Sequence, residues 1–126
     1  MARKTIHTAQ APKAIGPYSQ AVAAGGMVFL SGQVGLDPVS GELVAGGVEA
    51  ETRRAFSNLA AVAESAGPGL AAAVRVTIYL ADFGDFATVN GVMQEFFEEP
   101  YPARVTIGAA ALPRGAAIEV DCILVT

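Results

Sequence analysis

Residue types that build many functional sites are scarce in this sequence. Among its 126 residues there is one cysteine, Cys122, and one histidine, His7, and there is no tryptophan. A single cysteine excludes an internal disulfide, and one histidine with one cysteine provides too few soft ligands for a typical zinc or copper site. We therefore expect no metal centre, an inert buried thiol at Cys122 and a surface position for His7.

Clustered positive charge and long apolar runs are also lacking. The eight Lys and Arg residues are scattered and the net charge is −4, so no basic stripe is present to bind nucleic acid. No apolar run reaches membrane-spanning length, and polar residues follow Met1-Ala2-Arg3-Lys4 where a signal peptide would be apolar. The sequence therefore predicts a cytoplasmic protein without a membrane segment or a nucleic-acid partner.

Apolar residues, in contrast, are abundant. They make up 52% of the chain, with 14 glycines besides, which exceeds the usual share for a soluble domain. The length fits a single domain over residues 1–126, without repeats. Because a domain of this size buries only about two-thirds of its extended-chain surface, we expect the remaining apolar surface to bind further copies of the chain.

Periodic patterns predict a hairpin and a helix in the first half of the chain. Gly25-Gly26 separates two strand-like runs within 18–33 and permits a tight two-residue turn. From Val48 to Ala66 the apolar residues recur at helical spacing, and the glycine and proline of 67–69 end the pattern.

The second half alternates strands with one more helix. Residues 74–81 have the period of a strand with one buried face, and Asp82 or Asp85 can cap a helix that follows. The apolar stripe of that helix comprises Phe86, Val89, Val92, Met93, Phe96 and Phe97. Two final strand-like runs occupy 103–107 and 117–125. This order predicts an α+β fold, a single sheet with both helices packed on one face.

The two final strands are predicted to form an antiparallel hairpin. With a loop at 112–115, apolar residues face each other, and the pairs are Val105 with Cys122, Ile107 with Val120 and Ala109 with Ile118. The other face, away from the helices, would carry Arg104, Thr106, Gly108, Glu119, Asp121 and Ile123, together with Tyr79 and Val125. Arg104 and Glu119 would then be roughly 13 Å apart along the strands, too far for one small ligand within one chain.

Arg104 and Glu119 are the main candidate functional residues. A guanidinium and a carboxylate on apolar strands cost desolvation free energy unless something pairs with them. A planar guanidinium offers parallel donors to a carboxylate ligand, and a carboxylate can accept a proton from an attacking water. The alternative is that both residues only form structural ion pairs, across an interface between copies of the chain.

Several segments resemble the Rid family, the reactive-intermediate deaminases also known as endoribonuclease L-PSP or translation inhibitor proteins. The segments are Ala14-Ile15-Gly16-Pro17-Tyr18-Ser19-Gln20-Ala21, Phe29-Leu30-Ser31-Gly32-Gln33, Asp85-Phe86-Ala87-Thr88-Val89-Asn90, Pro102-Ala103-Arg104 and Leu112-Pro113-Arg114-Gly115-Ala116-Ala117-Ile118-Glu119-Val120. They occur in the family's order along the whole chain.

The resemblance implies a chorismate-mutase-like fold and a homotrimer with clefts between subunits. It also implies hydrolysis of 2-imino or enamine acids to 2-keto acids and ammonia without a cofactor. By this resemblance Arg104 holds the substrate carboxylate and Glu119 positions the water. The other implied substrate-binding residues are Tyr18, Ser31, Gly32, Asn90 and Thr106. Many family members have cysteine where this chain has Thr106, so no thiol role is expected there.

Two other functions stay open from the sequence alone. One is cleavage of single-stranded RNA, an activity attributed to some family members, although the acidic balance and the absence of tryptophan argue against it. The other is a non-catalytic module that binds small carboxylic acids, which would need Arg104 but not Glu119. Tyr18 and Asn90 also have simpler interpretations, as a packing aromatic and a surface polar residue.

Overall fold

A computed structural model describes residues 2–126 as one mixed sheet with two helices. The strands are β1 (Lys4–Ile6), β2 (Ala21–Ala24), β3 (Met27–Gln33), β4 (Ala73–Leu80), β5 (Ala103–Gly108) and β6 (Ile118–Val125), and the helices are α1 (Gly47–Ala66) and α2 (Phe86–Met93). The strand order is β1-β2-β3-β6-β4-β5, and all neighbours are antiparallel except β4 and β5. The predicted α+β class and single sheet are confirmed.

The predicted first hairpin is present as β2 and β3. Gly25 and Gly26 connect the strands with φ angles of 59° and 77°. Positive φ at both central residues is what a type I′ turn requires, and this turn matches the twist of the two strands. The turn brings Ala24 opposite Met27 and fixes the register of β3.

Helix α1 forms the main layer over the sheet. Phe56, Leu59 and Val62 are fully buried against one sheet face, in a core that the apolar residues of α2 also join. Burial of each such side chain contributes about 1.5–3 kcal/mol. The chain leaves the helix at Gly67, whose φ of 114° would be strained for a side chain. The predicted bounds of this helix are therefore confirmed to within a residue.

The predicted hairpin of β5 and β6 is wrong. Strand β5 pairs with β4 in parallel, and β6 lies between β3 and β4. Both runs are strands, as predicted, but α2 connects β4 to β5 as a crossover, which favours parallel neighbours. The predicted register failed because alternating apolar residues fit any neighbouring strand with one buried face equally well.

This pairing also corrects the predicted face of Arg104. The pairs between β4 and β5 are Val76 with Arg104, Ile78 with Thr106 and Leu80 with Gly108. Because the three β4 residues are fully buried under the helices, Arg104, Thr106 and Gly108 lie on the helix-covered face of the sheet. Val105 and Ile107, predicted to be core residues, lie on the opposite face and are 37% and 44% exposed.

The face without helices, which we call the open face, combines apolar and acidic residues. It carries Phe29, Tyr79, Val105, Ile107, Glu119, Asp121, Ile123 and Val125. The positions of Tyr79, Glu119, Asp121, Ile123 and Val125 on this face are as predicted. Exposed apolar residues on a sheet face are typical of a surface that another protein chain covers.

Cys122 and His7 have the environments that the sequence predicts. Cys122 is buried and its pKa is raised by burial to about 12, which keeps the thiol protonated and inert. His7 is exposed, as predicted. In the part of the chain that the structure describes, neither helix is long and apolar enough to cross a membrane.

Candidate functional site

A break in strand pairing shapes the first part of the candidate site. Leu30 pairs with Cys122 and Gln33 pairs with Val120, so Ser31 and Gly32 lie together opposite a single residue of β6. Such a bulge bends the strand and changes the direction of its side chains, and bulges are frequent beside active sites. The glycine inside a strand pattern was the available sequence signal for it, although the sequence analysis did not predict a bulge here.

Gly32 makes room for the carboxylate of Glu119. A Cβ atom at position 32 would lie 2.9 Å from Cδ of Glu119 and closer still to Oε2. Glycine therefore lets the side chain of Glu119 lie directly against the β3 backbone. The backbone at this position consequently faces the same space as the carboxylate.

The surroundings of Glu119 favour its protonated form. Burial raises the pKa of this carboxyl above its ordinary value, and the nearby negative charge of Asp121 raises it further. Asp121 accepts a hydrogen bond of 2.9 Å from the hydroxyl of Tyr79. A carboxylate with a raised pKa is a stronger base than an ordinary glutamate, so Glu119 is suited to accept a proton from water.

Glu119 lines a large cavity together with most of the predicted residues. The cavity has a volume of about 970 Å³, and Tyr18, Ser31 and Gly32 also line it. The hydroxyl of Ser31 donates to the carbonyl oxygen of Ser19 at 2.6 Å, which fixes its direction. Four of the predicted site residues are thus brought together in one cavity.

Residues 8–12 form one wall of this cavity, and Gln20 holds them in place. Its side chain is only 2% exposed, and its amide nitrogen donates to the carbonyl oxygens of Thr8 and Pro12 at 3.1 and 2.8 Å. Its amide oxygen accepts a hydrogen bond of 2.7 Å from the backbone N–H of Thr8. No sequence pattern predicted this role or strand β1, because a lone glutamine gives no distinctive signal.

Arg104 lies in a second, smaller pocket on the other face of the sheet. Its guanidinium donates to the side-chain oxygen of Asn90 and lies 3.9 Å from the sulfur of Met93. The carbon at its centre lies 5.2 Å from the centre of the Phe86 ring, within the range of a cation–π contact. Three side chains of α2 therefore hold the guanidinium in place, and Asn90 is brought to Arg104 as the resemblance implied.

The guanidinium of Arg104 has no carboxylate partner among residues 2–126. The ion pairs in this part of the chain are those of Arg53 with Glu49 and Glu95. The pocket around Arg104 has a volume of about 230 Å³, and Asn90, Met93, Gln94 and Tyr101 also line it. The alternative of an ion pair across an interface between copies of the chain therefore stays open, and within one chain the guanidinium is free to bind a ligand.

Thr106 contributes a buried hydroxyl beside this pocket. It follows Arg104 by two positions on β5 and lies on the same face of the sheet. Its Oγ1 atom is buried and has no hydrogen-bond partner among residues 2–126. Because a buried polar group without a partner costs free energy, the Thr106 hydroxyl is an unsatisfied group within the described residues.

The predicted site residues therefore form two groups rather than one. The Glu119 group, with Tyr18, Ser31 and Gly32, borders the large cavity, and the Arg104 group borders the small pocket. Arg104 lies beside Val76 of β4, which in turn pairs with Cys122 of β6. Glu119 pairs with Tyr79 of β4 and lies on the opposite face of the sheet. The positions of Arg104 and Glu119 along β4 differ by three residues rather than the predicted four, and the predicted shared face is wrong.

Comparison with known proteins places this chain in a family. The family model described as Endoribonuclease L-PSP matches residues 8–126. The chain belongs to this family, as the sequence resemblance indicated. A protein of the same family from Bos taurus, named 2-iminobutanoate/2-iminopropanoate deaminase, is 46% identical over 99% of this chain and 91% of its own length.

Two further relatives of this Rid-family chain cover almost its entire length. Protein DfrA from Myxococcus xanthus is 53% identical over 100% of this chain and 98% of its own length. The crystal structure of RidA from an Antarctic Psychrobacter is 43% identical, covers 98% of this chain and 99% of its own, and superimposes with a TM-score of 0.94. The fold described above is therefore the fold of a solved Rid-family protein.

Proposed function

We propose that this protein hydrolyses reactive 2-imino acids, and their enamine tautomers, to 2-keto acids and ammonia without a cofactor. The observation that supports this most directly is that the chain carries both a group suited to bind a carboxylate and a group suited to act as a base. Arg104 has no ion-pair partner among residues 2–126, and Glu119 has a raised pKa beside a large cavity. The name of the Bos taurus relative supports the same reaction.

In this proposal the chemistry needs only positioning and one proton acceptor. Arg104 binds the substrate carboxylate through parallel N–H donors, with Asn90 and Thr106 beside it. Glu119 takes a proton from water as the water oxygen bonds to C2 of the protonated imine, which gives a tetrahedral amino alcohol. Glu119 then gives that proton to the nitrogen. The C–N bond breaks as the hydroxyl group loses its proton to Glu119 and the C2–oxygen double bond forms, so the keto acid and ammonia leave and Glu119 releases the remaining proton to solvent.

The proposal also includes assembly as a homotrimer with clefts between subunits. Because Arg104 and Glu119 lie on opposite faces of the sheet, one chain cannot offer both to a small substrate. The apolar residues of the open face fit burial against a second copy. A cleft between neighbours would join the Arg104 pocket of one subunit to the Glu119 cavity of the next.

Further parts of the proposal concern the chain as a whole. We treat residues 1–126 as a single Rid-family domain with the chorismate-mutase-like fold that the resemblance implies, and the family match over 8–126 supports this. A cytoplasmic location is in keeping with a chain whose single cysteine is free. The site contains a small-molecule pocket but no basic stripe, so no observation favours RNA as the substrate.

Turnover of imines produced by an amino-acid oxidase tests the reaction directly. We expect the protein to accelerate release of the keto acid without added metal, Arg104→Ala to lose binding and turnover, and Glu119→Gln to lose turnover by about 100-fold or more. Glu64→Gln, an exposed carboxylate on α1, is the matched control. An unchanged rate in Glu119→Gln would favour the non-catalytic binding module, and RNA cleavage that survives Arg104→Ala would favour the ribonuclease.

Mixing two inactive variants tests the assembly. If the cleft lies between subunits, exchange between Arg104→Ala and Glu119→Ala chains gives each cleft about one chance in four of receiving both intact residues. We therefore expect about a quarter of the wild-type activity after verified subunit exchange. Activity that stays at background, or a monomer mass in light scattering, would show that the site is not shared in this way.

A further inference from the structure

One arginine of the Glu119 cavity has no role in the chemistry proposed above. Arg114 lines the cavity from the 3-10 turn Pro113–Gly115. Among residues 2–126, its side chain makes no ion pair with a carboxylate within 4.0 Å. The guanidinium is therefore unpaired in this part of the chain and borders the same space as Glu119.

The backbone at Arg114 is held in an uncommon conformation. Its φ of 62° makes it the one non-glycine residue with a positive φ among residues 2–126. This left-handed region is costly for a residue with a long side chain, whereas glycine adopts it freely. A side chain that occupies such a position beside a cavity is a candidate for a functional role.

The charge of the cavity lining differs from that of the whole protein. The chain carries a net charge of −4, yet Lys13 and Arg114 line the cavity and Glu119 is its single carboxylate. Cations that line a cavity raise the local concentration of anions within it. The carboxylate common to all 2-imino acids, however, goes to Arg104 in the proposed function, so these cations are free to bind a second anionic group.

The sizes of the two pockets indicate where the rest of a substrate lies. The Arg104 pocket, at about 230 Å³, is much the smaller of the two. The Glu119 cavity, at about 970 Å³, reaches the upper end of the range for small-molecule sites and exceeds what a short aliphatic side chain fills. The side chain of the substrate is therefore expected to extend from C2 into the cavity that Arg114 borders.

We propose that Arg114 is a specificity-determining residue that binds a second acidic group, so that the preferred substrates are 2-imino acids with an acidic side chain. This inference rests on the proposed function and names a substrate class for the same site. A guanidinium can form two parallel hydrogen bonds with a distal carboxylate, which an amide or methyl group cannot replace.

A matched pair of substrates tests this inference. We expect kcat/KM for 2-iminoglutarate to exceed that for 2-iminopentanoate, which has the same chain length but no second acid, by about tenfold or more. Arg114→Asn should abolish this ratio, because asparagine tolerates the left-handed backbone but carries no charge. Arg3→Asn, at an exposed position outside the cavity, changes the net charge equally and should leave the ratio unchanged.

Two additions keep the test decisive. Arg114→Gly removes the side chain without backbone strain, and a thermal melt of both variants shows whether they fold. Calorimetric titration with 2-oxoglutarate and 2-oxopentanoate measures the same preference in binding, so this inference is decided even if no imine is hydrolysed. A missing preference in the wild type, a preference that survives in Arg114→Asn, or an equal loss for both ligands would overturn it.

Discussion

The carboxylate of Glu119 lies in the space that a side chain at position 32 would occupy. A Cβ atom on Gly32 would come within 2.9 Å of Cδ of Glu119, closer than nonbonded carbon atoms approach in proteins. The bulge at Ser31 and Gly32 brings the two residues together. The position of the candidate base thus depends on the absence of a side chain on the neighbouring strand.

Gly32→Ala should therefore reduce activity more than stability. The added methyl group pushes aside the end of a flexible side chain, so the free energy of unfolding should change by less than about 1 kcal/mol. A displacement of about 1 Å at the base can cost about 100-fold in rate. Steady-state kinetics and chemical denaturation measure the two effects. Gly91→Ala, where nothing lies within 4 Å of the new Cβ, is the control and should retain activity. Full activity in Gly32→Ala would mean that the observed position of Glu119 does not matter.

The raised pKa of Glu119 predicts that activity is lost at a higher pH, as the solution is acidified, than an ordinary glutamate would give. A base must be unprotonated, so kcat/KM should fall as the pH drops through the pKa of this carboxyl, which lies above 4.5. Asp121→Asn removes one cause of the raised pKa of Glu119, so the fall in kcat/KM on the acid side of the pH profile should move to lower pH. The pH profile of kcat/KM for both proteins is the measurement, with Glu64→Gln as a charge-matched control. If the fall in kcat/KM moves to higher pH in Asp121→Asn, Glu119 is not the group whose protonation stops the reaction.

The same shift has a consequence for stability. A carboxyl with a raised pKa binds its proton more tightly in the folded than in the unfolded state, so its favourable contribution exists at low pH and is lost as the pH rises through the folded pKa. Glu119→Gln should consequently raise the melting temperature at neutral pH while it lowers turnover.

Thr106→Val should stabilise the protein and weaken ligand binding. Valine has nearly the same shape but lacks the buried hydroxyl that has no partner among residues 2–126, so the free energy of unfolding should rise by about 1 kcal/mol. If the hydroxyl contacts the ligand, the affinity for 2-oxobutanoate in calorimetry should fall. Thr52→Val is a control that should lower the free energy of unfolding instead, because the Thr52 hydroxyl donates to the Val48 carbonyl oxygen at 2.7 Å. A stabilised variant with unchanged affinity would remove Thr106 from the site.

Gln20→Ala should loosen the cavity wall at residues 8–12. The change removes the partners of three carbonyl groups and of the Thr8 N–H, which should lower the free energy of unfolding by about 2–3 kcal/mol. Denaturant unfolding gives the stability, and hydrogen exchange at the Thr8 amide gives the local effect. Gln10→Ala, at an exposed position nearby, should change neither. Unchanged exchange at Thr8 would show that other contacts hold this segment.

Local patterns in the sequence were sufficient for both helices, for every strand except β1 and for the candidate residues. The hairpin at Gly25 and Gly26 and the helix α1 follow from turn chemistry and periodicity, which depend on residues close together in the chain. Arg104 and Glu119 were conspicuous because charges on apolar strands are costly wherever the strands lie. Recognition of the family motifs added Tyr18, Ser31, Gly32 and Asn90.

The order of the strands, and with it the division of the site, was decided by tertiary structure alone. Alternation along β5 and β6 predicts which residues share a face but not which strand lies alongside, because every neighbour with one apolar face satisfies the same pattern. The α2 crossover placed β5 beside β4, and this moved Arg104 to the face opposite Glu119. The bulge at Gly32 likewise arises from pairing between distant segments of the chain. The sequence by itself determined which side chains are the candidates for the chemistry, and only the packing of distant strands determined that they border two separate pockets.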